Sequence, residues 1–137
     1  MRRGAHVVVV NRTQSNAMDL VNSFAGFGDE VSISLGDQSS IASASILINA
    51  TSVGMNTADL PIDPIHLHSQ LIVLDAVYSP LETSLLMAAR ETGATVVDGL
   101  WMLIHQARHQ QKLWFGEFSD ASAMRLAAER ELSARRK

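Results

Sequence analysis

Four short segments carry the polar residues whose types and spacing suit the binding of a nucleotide and a small polar ligand. They cover residues 11–13, 49–55, 75–83 and 98–107, and each follows a short apolar run. Apolar runs of this length are typical of strands, and ligands of open α/β sheets bind at the carboxyl ends of the strands. The spacing therefore predicts that the four segments line one edge of a sheet.

The first segment is Asn11-Arg12-Thr13, directly after the Val7–Val10 run. In dinucleotide-binding units an Arg near this position accommodates a 2′-phosphate, whereas an Asp or Glu holds a ribose 2′-hydroxyl. The planar guanidinium of Arg12 can bind phosphate oxygens in a bidentate manner. Judged by its spacing alone, the segment is more typical of a surface Arg beside a Thr that caps a helix.

The other three segments also allow two interpretations each. Residues 49–55 form a small, polar, Gly-containing loop that could approach a cofactor closely or simply turn the chain. Tyr78 could offer its hydroxyl to a substrate or pack as a half-buried aromatic. Met102 and Gln106 share one helix face, where Gln106 could bind a polyol or lie in solvent.

Composition favours one domain over residues 1–137 and excludes several classes of function. The net charge of −3 gives no electrostatic case for a nucleic-acid or membrane partner, and no apolar run approaches the length of a bilayer span. The lack of cysteine excludes disulfides and fits a cytoplasmic protein. His105 and His109 lie four apart without a Glu between them, so we expect no metal site.

Alternation of apolar runs and helical patterns predicts an α/β fold, a Rossmann-like parallel sheet with flanking helices. The predicted strands cover residues 7–10, 31–33, 46–48, 71–74 and 95–97, and the first should be buried on both faces. Gly26 and Gly28 should end the first helix. A long helix should carry one stripe of apolar residues, Leu100, Leu103, Ile104, Ala107 and Trp114, of which the first four should lie in the core. A last helix should carry Ala121, Met124, Ala128 and Leu132 on one side. No G-x-G-x-x-G follows a strand, so the fold should lack the first strand and its Gly-rich loop.

In this order, the four segments resemble the shikimate dehydrogenase family over most of the chain. The matching residues read N-R-T at 11–13, N-A-T-S-V-G-M at 49–55, D-x-V-Y-x-P-x-x-T at 75–83 and D-G-x-x-M-L-x-x-Q-A at 98–107. Trp114-Phe115-Gly116 is similar to a further aromatic segment of that family. The match lies in the C-terminal, NADP-binding part of these enzymes.

The resemblance implies reversible, NADP-dependent reduction of 3-dehydroshikimate to shikimate in aromatic amino-acid biosynthesis. It assigns Asn11, Arg12 and Thr13 to the adenosine 2′-phosphate. It places Thr51, Ala76, Gly99 and Met102 along the cofactor, and Tyr78 and Gln106 at the substrate. No catalytic residue is implied here, because the family's catalytic Lys-Asp pair lies in an N-terminal domain to which no part of this sequence corresponds.

Departures from the family pattern keep alternatives open. A second basic residue that commonly follows the N-R-T segment is replaced by Asn16, and Tyr-Asn-Pro is Tyr78-Ser79-Pro80. The chain is expected to be a part of a true dehydrogenase that is inactive alone. Alternatives are a nucleotide- or partner-binding module derived from the family, an enzyme completed by a separate N-terminal chain, a homo-oligomer, and a dehydrogenase acting on quinate.

Overall fold

The structure is a computed structural model that describes residues 4–24 and 32–135. The chain separates into two compact units, Met1–Ala44 and Ser45–Lys137. Each unit contains a parallel sheet flanked by helix, which is the predicted α/β class. The predicted single domain over residues 1–137 stays a prediction.

The first unit contains a two-stranded parallel sheet. Its elements are β1 (His6–Val9), α1 (Gln14–Asn22), β2 (Ser32–Leu35) and a 3₁₀ turn at Gln38–Ser43. Val7 stands opposite Ile33 and Val9 opposite Leu35. Helix α1 follows β1 within five residues because Thr13 takes the extended conformation of an N-cap.

The prediction that β1 is buried on both faces is wrong. Val8 is 37% exposed and Val10 is 40% exposed, while Val7 and Val9 are half-buried. Among the described residues of this unit, β1 pairs only with β2, and α1 is the one α-helix that can cover either face. Gly26 and Gly28, expected to end the first helix, and Val31, expected to begin β2, lie outside the described residues.

The second unit contains a three-stranded parallel sheet in the order β3-β4-β5. Its strands are β3 (Ile46–Asn49), β4 (Ile72–Asp75) and β5 (Thr95–Val97); its helices are α2 (Ser84–Glu91), α3 (Gly99–Phe115) and α4 (Ala121–Arg135), with a 3₁₀ turn at Pro64–His66. The register sets Asn49 beside Asp75, at the carboxyl ends of β3 and β4. All five described strands correspond to predicted runs, so no Gly-loop strand occurs among the described residues.

One face of this sheet and helix α2 form the core. Leu85, Leu86 and Ala89 of α2 are at most 1% exposed, as are Leu71 and Val73 at β4. Removing a leucine side chain from water contributes about 1.5–3 kcal/mol, so these few contacts fix α2 on the sheet. The cap of α2 is Thr83, as predicted, and its Oγ1 accepts a hydrogen bond from the Leu86 N–H at 3.3 Å.

The long helix α3 buries a narrower stripe than predicted. Leu100 and Ile104 are buried, but Leu103 is 41% exposed and Trp114 is 70% exposed. A helix of 17 residues is about 25 Å long, roughly twice the length of a four-residue strand, so the sheet can cover only one part of it. The predicted burial is therefore wrong at Leu103.

The last helix agrees with its predicted face. Ala121, Met124, Ala128 and Leu132 are all half-buried. The helix begins after Asp120, whose Oδ1 accepts hydrogen bonds from the N–H groups of Ser122 and Ala123. Across residues 4–24 and 32–135, no helix has the length and apolar character needed to cross a membrane.

Candidate functional site

The three adjacent residues Asn11, Arg12 and Thr13 lie at the carboxyl end of β1 and are exposed. Asn11 Oδ1 accepts a hydrogen bond from the Thr13 N–H at 2.9 Å, which bends the chain from the strand into α1. The Thr13 side chain makes no capping hydrogen bond, and Arg12 forms no ion pair with any residue that the structure describes. No described carboxylate therefore competes with a ligand for the Arg12 guanidinium.

In the second unit, the loop after β3 is held by the side chain of Asn49, which is 5% exposed. Asn49 Oδ1 accepts hydrogen bonds from the backbone N–H and the hydroxyl of Thr51, at 3.1 and 2.8 Å. Thr51 Oγ1 in turn accepts from the Val53 N–H at 3.1 Å. These bonds fix the position of Thr51 while one side of the residue stays open to solvent.

The loop after β4 is held by Asp75, which is 0% exposed. Asp75 Oδ1 accepts hydrogen bonds from Asn49 Nδ2 at 2.9 Å and from the Val77 N–H at 3.0 Å. Asp75 Oδ2 accepts from the Thr83 hydroxyl at 2.7 Å. One buried carboxyl group therefore joins the end of β3, the loop after β4 and the first turn of α2.

These two loops enclose a small cleft of about 150 Å³. Its lining includes three of the predicted site residues, Thr51, Ala76 and Tyr78, and it also includes Met55, Asn56, Val77 and Ser79. Tyr78 is 43% exposed, so its ring forms an outer wall of the cleft. The structure thus brings Thr51, Ala76 and Tyr78 together at the carboxyl ends of two neighbouring strands, where the sequence pattern predicted a ligand.

Gly99 is a predicted cofactor contact that the structure places under the cleft. The residue is buried, and a Cβ atom added to it would lie 2.5 Å from the carbonyl oxygen of Ala76 and 2.7 Å from that of Val77. Only glycine permits this approach of α3 to the loop after β4. Gly99 therefore supports the cleft wall from below through the Ala76 and Val77 backbone.

Met102 and Gln106 line a second, broader cleft of about 670 Å³. They share it with Leu74 and Val97 of the sheet and with four further side chains of α3: Trp101, His105, His109 and Gln110. His105 stacks on Trp101 with 5.9 Å between ring centroids, and His109 meets the Phe118 ring edge-on at 5.2 Å. Within the described part of the chain, no group of three potential ligands could hold a metal ion.

The first turn of α3 is fixed by Asp98 and Arg125. Asp98 Oδ1 accepts hydrogen bonds from the N–H groups of Leu100 and Trp101, and so caps the helix. Both carboxylate oxygens of Asp98 also accept from the guanidinium of Arg125, and these bonds raise the pKa of Arg125. Arg125 lies over the Trp101 ring, 4.6 Å from its centroid.

Sequence reasoning missed the roles of Asp75, Asn49 and Arg125. Asn49 and Asp75 share one feature that the sequence shows: each is a polar residue at the last position of an apolar strand. A buried polar group needs hydrogen-bond partners, and such a position therefore predicts a network without identifying its members. Arg125 carried no comparable signal, because its partner lies 27 residues earlier.

Comparisons with known proteins show which proteins the chain is similar to. No family model matches it. The chain is 45% identical to the shikimate dehydrogenase (NADP(+)) of Halorubrum lacusprofundi over 130 residues, which are 94% of this chain and 47% of that protein.

Solved structures agree in fold. The shikimate 5-dehydrogenase of Thermus thermophilus in complex with NADP(H) and shikimate superposes with a TM-score of 0.82 and 32% identity, over 93% of this chain and 46% of that one. The quinate dehydrogenase of Corynebacterium glutamicum in complex with NAD gives 0.77 and 34%, over 88% and 44%. The chain spans about half the length of the relatives it matches. Over that half, in sequence and in fold, the chain is similar to shikimate dehydrogenases, as expected for a C-terminal part of such a protein.

Proposed function

We propose that these residues bind NADP and form the cofactor-binding part of an enzyme that reversibly reduces 3-dehydroshikimate to shikimate. The observation that carries the proposal is the cleft in which Thr51, Ala76 and Tyr78 meet at the ends of β3 and β4. Ligands of open parallel sheets bind at this edge. The relative from Halorubrum lacusprofundi, named for NADP(+), supports the choice of cofactor.

The phosphate end of the cofactor fits the residues after β1. Arg12 is exposed and makes no ion pair with any described side chain, so its guanidinium can bind a 2′-phosphate without breaking an existing contact. Asn11 and Thr13 lie on either side and offer an amide and a hydroxyl. An Asp or Glu at this position would instead favour the ribose hydroxyl of NAD.

The nicotinamide end fits the small cleft. Ala76 is a small residue whose backbone is supported by Gly99, and Thr51 is held by Asn49, so both walls are fixed before a ligand arrives. Met102, which the resemblance also assigns to the cofactor, lines the broader cleft, where its apolar side chain can pack on a ligand. Bound NADP would exchange hydride with the substrate; the protein supplies binding, orientation and exclusion of water.

Tyr78 and Gln106 are the proposed substrate contacts of this chain. The Tyr78 hydroxyl can both donate and accept a hydrogen bond, and the Gln106 side chain offers a carbonyl and an amino group. These groups suit the several hydroxyls of a cyclic polyol acid. Both side chains are exposed and each lines one of the two clefts, so both are accessible to a small molecule.

A second candidate is a dehydrogenase acting on quinate. The structural similarity to a quinate dehydrogenase bound to NAD, at 34% identity, supports it. Asn16 replaces a basic residue and leaves Arg12 as the single cation at residues 11–16, which weakens 2′-phosphate binding and brings the cofactor preference nearer to NAD. Quinate and shikimate differ in ring substituents that Tyr78 and Gln106 alone do not distinguish.

The test is a titration of the chain with NADP⁺ and with NAD⁺, followed by the amide resonances of a ¹⁵N-labelled sample. We expect NADP⁺ to shift the resonances of residues 11–13 and those of Thr51, Ala76 and Tyr78. Adenosine 2′,5′-bisphosphate, which lacks the nicotinamide, should shift only the first set. No shift with either ligand, or shifts confined to α4, would contradict the proposal.

A further inference from the structure

Asp75 is buried in a way that ordinary packing does not require. It is 0% exposed, stands at the end of an apolar strand and takes three hydrogen bonds from neutral donors. Burying a carboxyl group costs free energy unless its oxygens are fully hydrogen-bonded. An apolar residue at this position would avoid that cost, so we look for the reason for the carboxyl group in its three hydrogen-bond donors.

The three donors belong to the three segments that shape the small cleft. Asn49 fixes Thr51 on one wall, the Val77 N–H lies between Ala76 and Tyr78 on the other wall, and Thr83 begins α2 behind them. The bonds at Oδ1 connect the two walls directly, because Asn49 and Val77 donate to the same oxygen. A carboxylate can accept all three bonds at once, whereas an amide of the same shape cannot.

We propose that Asp75 is a positioning residue that sets the distance between the two walls of this cleft. It thereby determines how tightly the nicotinamide end of the cofactor binds. The inference rests on the proposed function. Asp75 is within the wall and does not line the cleft, so it acts through Thr51, Ala76 and Tyr78. Misplacement of a binding wall weakens the contacts made there and leaves remote contacts of the same ligand unchanged.

The experiment compares NADP⁺ with adenosine 2′,5′-bisphosphate as ligands of the wild type and of Asp75→Asn. The variant keeps the size of the side chain but places an amino group against at least one of the three donors. Asp63→Asn is the matched control, because Asp63 accepts from the Ile65 N–H at 3.0 Å in an exposed turn where Asn caps equally well. Affinities come from calorimetry, and circular dichroism checks folding.

We expect Asp75→Asn to weaken NADP⁺ binding about tenfold, and to leave the affinity for adenosine 2′,5′-bisphosphate unchanged within about twofold. Asp63→Asn should change neither. If Asp75→Asn fails to fold, Thr83→Val removes one donor of the network, and Thr83→Ser should restore it. Those two variants should then show the same selective loss and its rescue.

Two results would overturn the inference, and they are distinguishable. Equal losses for both ligands, or no loss for either, would show that Asp75 serves only stability. A wild type that binds neither ligand would refute the proposed function itself, and the inference would fall with it.

Discussion

Arg125 and Asp98 form a bidentate ion pair that ties the last helix to the first turn of α3. The Nη1–Oδ1 and Nη2–Oδ2 distances are 2.8 and 2.9 Å, and the two side chains are only 17% and 21% exposed. Asp98 is at the same time the cap of α3, directly before Gly99. The pair therefore fixes the helix that carries Met102 and Gln106, although neither partner lines a cleft.

Arg125→Lys should destabilise the fold by about 2 kcal/mol, because a single ammonium cannot reproduce two parallel hydrogen bonds to a carboxylate. Arg90→Lys is the control. Arg90 pairs with Glu82, but these side chains are 58% and 54% exposed, so the change should cost less than about 1 kcal/mol. Urea denaturation gives both values. An equal loss of unfolding free energy in the two variants would show that the Arg125–Asp98 pair stabilises the fold no more than an exposed ion pair does.

Gly99→Ala should destabilise the chain by about 1–3 kcal/mol, because the new methyl group would collide with backbone atoms that cannot rotate away. The nearest of these is the Ala76 carbonyl oxygen, at 2.5 Å. Gly116→Ala is the comparison. It has a φ of 83° with nothing within 4 Å of an added Cβ, so it should cost only the strain of the left-handed conformation, about 1 kcal/mol.

The two glycine variants also separate stability from binding. Gly99→Ala must displace Ala76 in the cleft wall, so NADP⁺ affinity should fall, whereas Gly116→Ala should leave it unchanged. Thermal denaturation and calorimetry measure the two effects on the same samples. Unchanged NADP⁺ affinity in Gly99→Ala would show that the wall does not depend on this close approach.

Local pattern was enough to predict the strands and most helix starts, and long-range contacts explain what it missed. Apolar runs such as residues 46–48 and 95–97 became strands, and Thr83 became a cap, because these features depend on nearby residues only. The exposure of Val8, Leu103 and Trp114 depends on which elements cover them, which periodicity does not specify.

The candidate site shows the same division. The sequence placed residues 49–55 and 75–83 after two predicted strands, and the structure puts Thr51, Ala76 and Tyr78 around one cleft at the ends of these strands. The hydrogen bond that holds the two walls together joins Asn49 to Asp75, which lies 26 residues later in the sequence. Spacing alone does not indicate which polar residue will be the partner of a buried Asn. The close approach of Gly99 to Ala76 likewise depends on how α3 packs against the loop after β4, which spacing does not specify.

Arg12→Ala should weaken NADP⁺ binding about tenfold and leave the affinity for NAD⁺ unchanged, because only NADP⁺ carries the 2′-phosphate that the guanidinium would bind. Arg130→Ala removes an equal charge from an exposed position on α4 and serves as the control. Calorimetric titration with both cofactors gives the ratio of the NADP⁺ and NAD⁺ affinities for each variant. Loss of NAD⁺ affinity in Arg12→Ala, or an equal effect in Arg130→Ala, would contradict the assignment.

The 137 residues alone should not oxidise shikimate at a measurable rate. Oxidation needs a group that takes the hydroxyl proton while hydride leaves. Tyr78 and Gln106 can orient a substrate through hydrogen bonds, but a hydroxyl already carries its proton and an amide does not take one up. Of the two lysines of the sequence, Lys112 lines neither cleft and Lys137 lies outside the described residues. His105 and His109 carry the imidazole group that most often serves as a general base, but they line the broader cleft and not the one formed by Thr51, Ala76 and Tyr78.

A chimaera tests this prediction without relying on the association of two separate chains. These residues would replace the matching portion of the Halorubrum lacusprofundi relative, which is 45% identical to them. We expect the chimaera to form NADPH from NADP⁺ and shikimate, and the chain alone to stay at background.

Tyr78→Phe in the chimaera removes one hydroxyl at the substrate and should lower kcat/KM by about tenfold, the effect of losing one hydrogen bond. Turnover by the chain alone that falls with Tyr78→Phe would instead require a base within these residues. An inactive chimaera that still binds NADP⁺ would favour the binding module over the enzyme.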